Sequence, residues 1–243
     1  KNIADRFIAV SEKVHDYLKN NLNCAPKKIK LINEFISSEE ILSKSNEKSI
    51  FEINKELNRK PNEVLIVGIG TACLRKGIDI LIEANEILVE KGYENIKFIW
   101  VGSLMKEKEI ISSLLKKEKN FLFLGEKENP FPYLNAADIF VLPSREDPFP
   151  LVVLEAMALG KPSTVFKDGG GIPEAVHDCG IVVNEMNAES LADAIIKLVE
   201  NKRLMEGFSI KCREKQKEKY DSNIVIPEIH DLINKSLNID NSS

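Results

Sequence analysis

Arg75 and Lys76 stand side by side near the end of the stretch Gly68-Ile-Gly-Thr-Ala-Cys-Leu-Arg-Lys-Gly77. Glycines let backbone amides come close to an anion, a helix start carries partial positive charge, and two cations add full charge there. That is the chemistry of holding phosphate, although the same residues also suit a tight strand-to-helix turn with cations on its surface. The stretch is not a dinucleotide fingerprint, because the third glycine of G-x-G-x-x-G falls on Cys73. Nor is it a P-loop, since no Ser or Thr follows the lysine. Further on, Asp147 and Glu155 stand with seven residues between them, the first in a loop and the second inside the apolar run Val152-Val-Leu-Glu-Ala-Met-Ala158. A carboxylate suits a diol, because each oxygen accepts one hydroxyl proton. An acidic helix start complements the helix dipole without any ligand. An acid amid apolar residues is different: its burial costs several kcal/mol unless something pairs with it. A third stretch, Gly169-Gly170-Gly171-Ile-Pro173-Glu174, combines a glycine hinge with proline at a first helical position. It allows close approach of a ligand, and serves equally as a flexible turn.

What the chain lacks narrows the chemistry. No Asp-x-Asp occurs, so a carboxylate-held divalent metal bridging a diphosphate is not expected, and positive charge must come from Arg, Lys and helix dipoles. No G-x-S-x-G elbow supports a serine nucleophile. Cys24, Cys73, Cys179 and Cys212 are scattered without a CxxC pair, which reads as free thiols in a reducing compartment. His177, Asp178 and Cys179 are adjacent, but neighbouring side chains point apart, so they read as structural or solvated. With 34 basic and 38 acidic residues the net charge is -4, which argues against gripping a nucleic-acid backbone. No apolar run reaches the length of a membrane span, so the chain reads as soluble.

These residues need a frame, and the hydrophobic pattern supplies one. Val64–Val67, Phe98–Val101, Phe121–Leu124, Ile139–Leu142, Thr164–Phe166 and Ile181–Val183 are short, wholly apolar runs that predict buried strands. Helical spacing separates them: Ile80 to Leu88 ending near Gly92, Ile110 to Leu115, Tyr133 to Ala136, Pro150 to Leu159, a short helix opened by Pro173, and Leu191 to Leu198. A charged helix is expected from Arg203 to Tyr220. Ahead of this series come a strand at Arg6–Val10, a helix capped by Ser11, and a strand at Ile29–Ile32. Ser37–Glu47, rich in Ser, Glu and Lys, reads as a loop or frayed helix, and a domain boundary is placed there. The alternation implies an α/β fold, a parallel sheet with helices on both faces, and ligands at the carboxyl ends of its strands. The candidate residues follow Val67, Leu124, Leu142 and Phe166, where that rule puts a site. The chain of 243 residues begins with Lys1, not Met, and reads as a piece of a longer protein without a visible signal peptide.

Taken in order, these segments resemble the large family of retaining, nucleotide-sugar-dependent glycosyltransferases with two Rossmann-like domains facing across a cleft, the GT-B architecture of family 4. The likeness is carried by Ala4-Asp-Arg-Phe-Ile-Ala-Val-Ser-Glu12, Lys30-Leu-Ile-Asn33-Glu34, Arg75-Lys76-Gly77-Ile-Asp79, Phe123-Leu-Gly125, Ala136-Ala137-Asp138, Pro143-Ser144, Leu154-Glu155-Ala-Met-Ala and Gly170-Gly171-Ile-Pro-Glu174. The resemblance implies that residues 1–37 are a remnant of an N-terminal acceptor domain and its crossover, and 38–243 the donor-binding domain, the C-terminal half of the fold. It implies a nucleotide-diphosphate sugar (UDP-, GDP- or ADP-linked) as donor, no cofactor or metal, and a glycan or lipid acceptor on the missing N-terminal domain. Glu155 would hold the donor's ribose hydroxyls and Asp147 the sugar's. Leu151 and Val152 would offer amides to the diphosphate, and Lys76, with Arg75 beside it, would stabilise the leaving group. Gly125 to Lys127 would border the base; Phe149, Gly170 and Gly171 are counted with the donor-binding residues. A cytoplasmic location is implied, with peripheral membrane contact for the full-length protein.

Three departures from the family pattern stand out. The first acid of the pair is Asp where Glu is usual, with Glu146 one residue out of register, and Gly70 occupies the place of a frequent second arginine. Pro148 and Pro150 also replace usual glycines. Two other readings remain open at this point: a nucleotide-sugar epimerase of the same architecture, and a non-catalytic nucleotide-sugar-binding module.

Overall fold

A computed structural model describes residues 4–104 and 120–237; the helix expected at Ile110 to Leu115 lies outside them. The first elements are β1 (Phe7–Ala9), α1 (Glu12–Asn20) and β2 (Ile29–Leu31), and the two strands pair in parallel with Phe7 opposite Ile29. Ser11 starts α1 as expected, its hydroxyl accepting from the Val14 amide at 3.2 Å. Two small helices follow, α2 (Ser38–Ser45) and α3 (Ile50–Glu56).

The frame proper begins with β3 (Val64–Ile69) and α4 (Ile78–Glu90), then β4 (Ile96–Val101), β5 (Phe121–Gly125) and α5 (Phe131–Ala136). It continues with β6 (Ile139–Leu142), α6 (Leu151–Ala158), β7 (Ser163–Phe166), the single turn α7 (Pro173–Val176) and β8 (Gly180–Val183). Three helices finish the described chain: α8 (Ala188–Val199), α9 (Lys202–Lys215) and α10 (Ser222–Leu237). Strands β3 to β8 form one parallel sheet in the order β5-β4-β3-β6-β7-β8. This is the α/β arrangement that wholly apolar strands alternating with helices imply.

Residue parity along the strands builds two cores. Leu65, Val67 and Ile69 of β3 face one side, with Phe140, Val153, Leu154 and Met157. Ile66 faces the other, with Ile78, Leu81 and Leu88 of α4 and Leu191, Ile195 and Leu198 of α8. Trp100 on β4 is fully buried, and its indole N–H donates to the Gly70 carbonyl at 2.8 Å. That bond satisfies a carbonyl in the turn leaving β3, where a bare backbone group would be costly.

Three elements differ from the sequence pattern. Ser37–Glu47 is neither loop nor frayed: Ser37 caps α2, and Ile41 and Ser45 are buried against the body. Helix α3 went unforeseen; its capping box, Ser49 with Glu52, is a local signal for it. The charged helix ends at Lys215, passes through a π-turn over Gln216–Tyr220, and is followed by the unexpected α10. The π-turn brings Tyr220 and Asp221 back to the segment leading into α2, where Ile36 N–H donates to the Tyr220 carbonyl at 3.1 Å and Ser38 N–H to Asp221 Oδ2 at 3.0 Å.

The order of strands fixes where a ligand can sit. From β3 the chain steps outward to β4 and β5, then returns to lay β6 on the opposite side of β3. The loops leaving β3 and β6 therefore diverge and leave a crevice at their carboxyl ends. Gly77 makes the close packing of that crevice feasible: its φ is +72°, and a Cβ there would lie 1.9 Å from the Pro143 carbonyl oxygen. Gly77→Ala is expected to destabilise the fold by more than the about 1–2 kcal/mol of left-handed strain alone, read as a lowered melting temperature. Gly92, at φ +88° with open space around it, is the control: Gly92→Ala should show the strain component only, in parallel thermal melts.

Candidate functional site

At the crevice the loop after β3 carries Lys76 and the loop after β6 carries Asp147. The Lys76 ammonium lies 2.5 Å from Asp147 Oδ2, and both side chains are about nine-tenths buried, at 13% and 11% exposure. Arg75, half-exposed, reaches the same oxygen at 3.7 Å and donates to the Glu146 carbonyl at 2.8 Å. Two cations thus converge on one carboxylate, where the sequence suggested two cations awaiting an anion. Gly70 borders them: with φ +138°, a Cβ built there would lie 3.7 Å from Lys76 Cε. A side chain at position 70 would point at this lysine, and the glycine leaves Arg75 as its cationic neighbour.

The glycine turn after β7 closes over the acid loop. Asp147 N–H donates to the Gly169 carbonyl at 2.8 Å, and Gly171 N–H to the carbonyls of Asp147 and Pro148, each at 3.2 Å. A Cβ on Gly170 would sit 1.6 Å from the Asp147 carbonyl oxygen and one on Gly171 2.3 Å from that of Pro148, so glycine is required at both. A cavity of about 240 Å³ opens beside this contact, lined by Asp147, Pro148, Gly170 and Gly171 on one wall and by Lys13, Val14 and Tyr17 of α1 on the other. The α1 wall was not legible in the sequence. Glu174 secures it: one oxygen accepts from Asn33 Nδ2 at 3.0 Å, and the other from the Glu12 amide at 3.4 Å, at the start of α1.

Helix α6 rises from the acid loop. The amides of Leu151 and Val152 are in its first turn and have no acceptor among the described residues, which leaves them available to an anion. Glu155 lies one turn further on. Its carboxylate makes no hydrogen bond or ion pair among the described residues, and burial raises its pKa to about 7, against which Lys44 on α2 is the opposing charge. Lys44 itself is engaged by Glu40 at 2.6 Å, and its carbonyl accepts from Asn129 Nδ2 at 2.9 Å in the loop after β5. Gly125, at φ +69°, opens that loop. Lys127 stands over the Tyr133 ring, 5.5 Å from its centroid and 3.9 Å from Glu56. The ring of Phe149, counted with the donor-binding residues, is buried in the core, 5.9 Å from the Tyr220 ring.

A second ion pair, unforeseen, frames the same turn. Arg145 donates through Nη1 and Nη2 to the two oxygens of Asp79, at 2.8 and 2.7 Å, and through Nη1 also to the Leu74 carbonyl.

Fold and site together define a doubly wound α/β domain with paired charges at its topological switch point. The family model described as "Glycosyl transferases group 1" matches residues 49–218, and the chain belongs to that family. The capsular polysaccharide biosynthesis glycosyltransferase CapM of Staphylococcus aureus is 28% identical over 240 residues, covering 96% of this chain and 62% of its own length. The N,N'-diacetylbacillosaminyl-diphospho-undecaprenol alpha-1,3-N-acetylgalactosaminyltransferase of Campylobacter jejuni is 28% identical over 230 residues, covering 91% of this chain and 58% of its own. This chain therefore spans about three-fifths of the length of those relatives. Among solved structures, Anabaena Alr3699/HepE in complex with UDP superposes with a TM-score of 0.84 at 20% identity, over 96% of this chain and 64% of that one, and shares the GT-B type of Rossmann-like fold.

The unpaired acid makes stability depend on pH. Glu155 holds its proton more tightly in the folded chain than in the unfolded one, so the folded state loses stability as pH rises from the ordinary carboxylate range through about 7. Glu155→Gln is expected to raise the melting temperature at pH 8 and to leave it nearly unchanged at pH 5. Thermal melts at the two pH values check this, and equal shifts at both would count against it.

Proposed function

We propose that this chain is the donor-binding part of a retaining glycosyltransferase that uses a nucleotide-diphosphate sugar, without a metal, to glycosylate a glycan or lipid. The observation that carries the reading is the buried Lys76–Asp147 pair at the carboxyl ends of β3 and β6, with α6, which has free first-turn amides and a buried acid without a partner, rising from the same loop. Each part matches one part of such a donor. A diphosphate takes the place of Asp147 as partner of Lys76 and accepts from the Leu151 and Val152 amides. Released from the lysine, Asp147 accepts hydroxyl protons of the sugar. Glu155 accepts the ribose hydroxyls, and the loop from Gly125 to Lys127 borders the base. Anabaena Alr3699/HepE has been crystallised with UDP and with UDP-glucose, which supports a uridine donor over the guanosine and adenosine alternatives.

In the transfer step the bond between the sugar's anomeric carbon and the diphosphate breaks with oxocarbenium character, and negative charge develops on the leaving oxygen. With no Asp-x-Asp in the chain, that charge falls to Lys76, Arg75 and the start of α6. The acceptor and the opposing wall of the cleft belong, on this reading, to a domain preceding residues 38–243, of which residues 1–37 are the end. The Campylobacter relative's name specifies a diphospho-undecaprenol acceptor and that of a Staphylococcus aureus relative, 27% identical over 212 residues, poly(ribitol-phosphate). Those names support a carrier lipid or surface polymer as the acceptor class, in a cytoplasmic protein that meets the membrane only peripherally. Among the described residues no helix is long and apolar enough to cross a membrane.

Calorimetric titration with UDP, GDP and ADP tests the reading. One of the three is expected to bind, weakly in this chain alone. Lys76→Ala and Glu155→Ala should each reduce that affinity at least about tenfold, the scale of a hydrogen bond to a charged group. Indifference to all three nucleotides would favour a binding module of another kind.

A further inference from the structure

We infer that Arg145 is a positioning residue that sets where Lys76 meets the donor diphosphate, an inference that rests on the reading just given. Arg145 holds the turn after β3 from three directions. Its main-chain N–H donates to the Arg75 carbonyl at 2.8 Å, on the residue preceding the lysine. Its Nη1 donates to the Leu74 carbonyl, one residue earlier still. Its two terminal nitrogens engage both oxygens of Asp79, at 2.8 and 2.7 Å, three residues beyond the lysine and in the first turn of α4. Lys76 and Gly77 are thereby bracketed, and Gly77 is pressed against the Pro143 carbonyl on the same loop.

The energetics favour a geometric role. Arg145 and Asp79 are 38% and 24% exposed, and a partly buried pair still reached by solvent contributes on the order of 1 kcal/mol to stability. A planar guanidinium with two parallel bonds has another property: it fixes direction, which a lysine cannot do. Arg145 also stands two residues before Asp147. One short segment thus grips the turn that carries Lys76 and supplies the carboxylate that receives it. The lysine is a flexible side chain with an ammonium that accepts many directions. What decides its place is the backbone of residues 74–77, and Arg145 fixes that backbone against the acid loop.

The test separates diphosphate from base and ribose. UDP is titrated against uridine, with GDP–guanosine and ADP–adenosine as parallel pairs, on the unaltered chain and on Lys76→Ala, Arg145→Gln, Arg145→Lys, Asp79→Asn and the double variant Lys76→Ala/Arg145→Gln. Arg145→Gln is expected to weaken the diphosphate roughly five- to tenfold and leave the nucleoside unchanged, with little further loss on the Lys76→Ala background. Arg145→Lys, which keeps the charge and loses the fork, and Asp79→Asn should weaken the diphosphate in the same selective way. Equal losses for diphosphate and nucleoside, a full additional loss in the double variant, or no loss would overturn the inference. Should Arg145→Gln fail to fold in a thermal melt, Arg145→Lys and Asp79→Asn carry the same comparison. If Lys76→Ala leaves diphosphate binding intact, the reading of the site itself fails; if Lys76→Ala weakens it and the Arg145 variants do not, only the positioning role falls.

Discussion

A lysine and an aspartate 71 positions apart in the chain meet at 2.5 Å, largely out of water, and much of the architecture makes that contact feasible. Two opposite charges removed from solvent need a close partner to offset desolvation, so neither is free to wander. Holding them together requires β3 and β6 to be neighbours, and they are neighbours because the chain returns across β3 after building β4 and β5. Glycine at 77 lets the two loops touch, and glycine at 170 lets a third loop close over the acid. The same reversal of direction that makes the sheet doubly wound makes the crevice in which the charges lie.

Contrast between the two acids is the second organising feature. Asp147 is compensated by two cations, while Glu155, on the helix that rises from the same loop, has none in contact. One acid is satisfied without ligand; the other is held near neutrality by burial and gains a hydrogen-bonded role only when something brings it donors. On the proposed reading these two carboxylates exchange partners when donor binds: an anion takes the lysine, a diol takes the buried acid, and the freed aspartate becomes an acceptor.

Legibility in the sequence followed the physics of each signal. Strands buried on both faces are continuous apolar runs, so β3, β4, β6 and β7 stood out, whereas Ser-Glu-Glu-Ile-Leu-Ser-Lys-Ser of α2 buries just Ile41 and Ser45 and looked like a loop. Glu155 was conspicuous because an acid interrupts an otherwise apolar helix. Lys76 and Asp147 were identifiable by type and spacing, but not as a pair, since periodicity carries no information about loops from different strands. The direction of the Phe149 ring was illegible for a related reason: it is set by what the residue packs on, here Tyr220, 71 positions away in the chain.

Arg145 shows where local reading ends. In sequence it is one more charged residue before a run of prolines and acids, indistinguishable from the exposed cations elsewhere. Only the folded arrangement reveals that its fork closes on Asp79 and its main chain on Arg75, so that the acid loop grips the turn of the basic one. The lysine's flexible stem would otherwise let its ammonium sample many positions, each with a different distance to the carboxylate. A rigid, bidentate bracket in a partly buried position fixes direction, which a flexible cation at the same place would not do. The geometry of the buried pair is thus set by a partly buried one, through the short backbone segment they share.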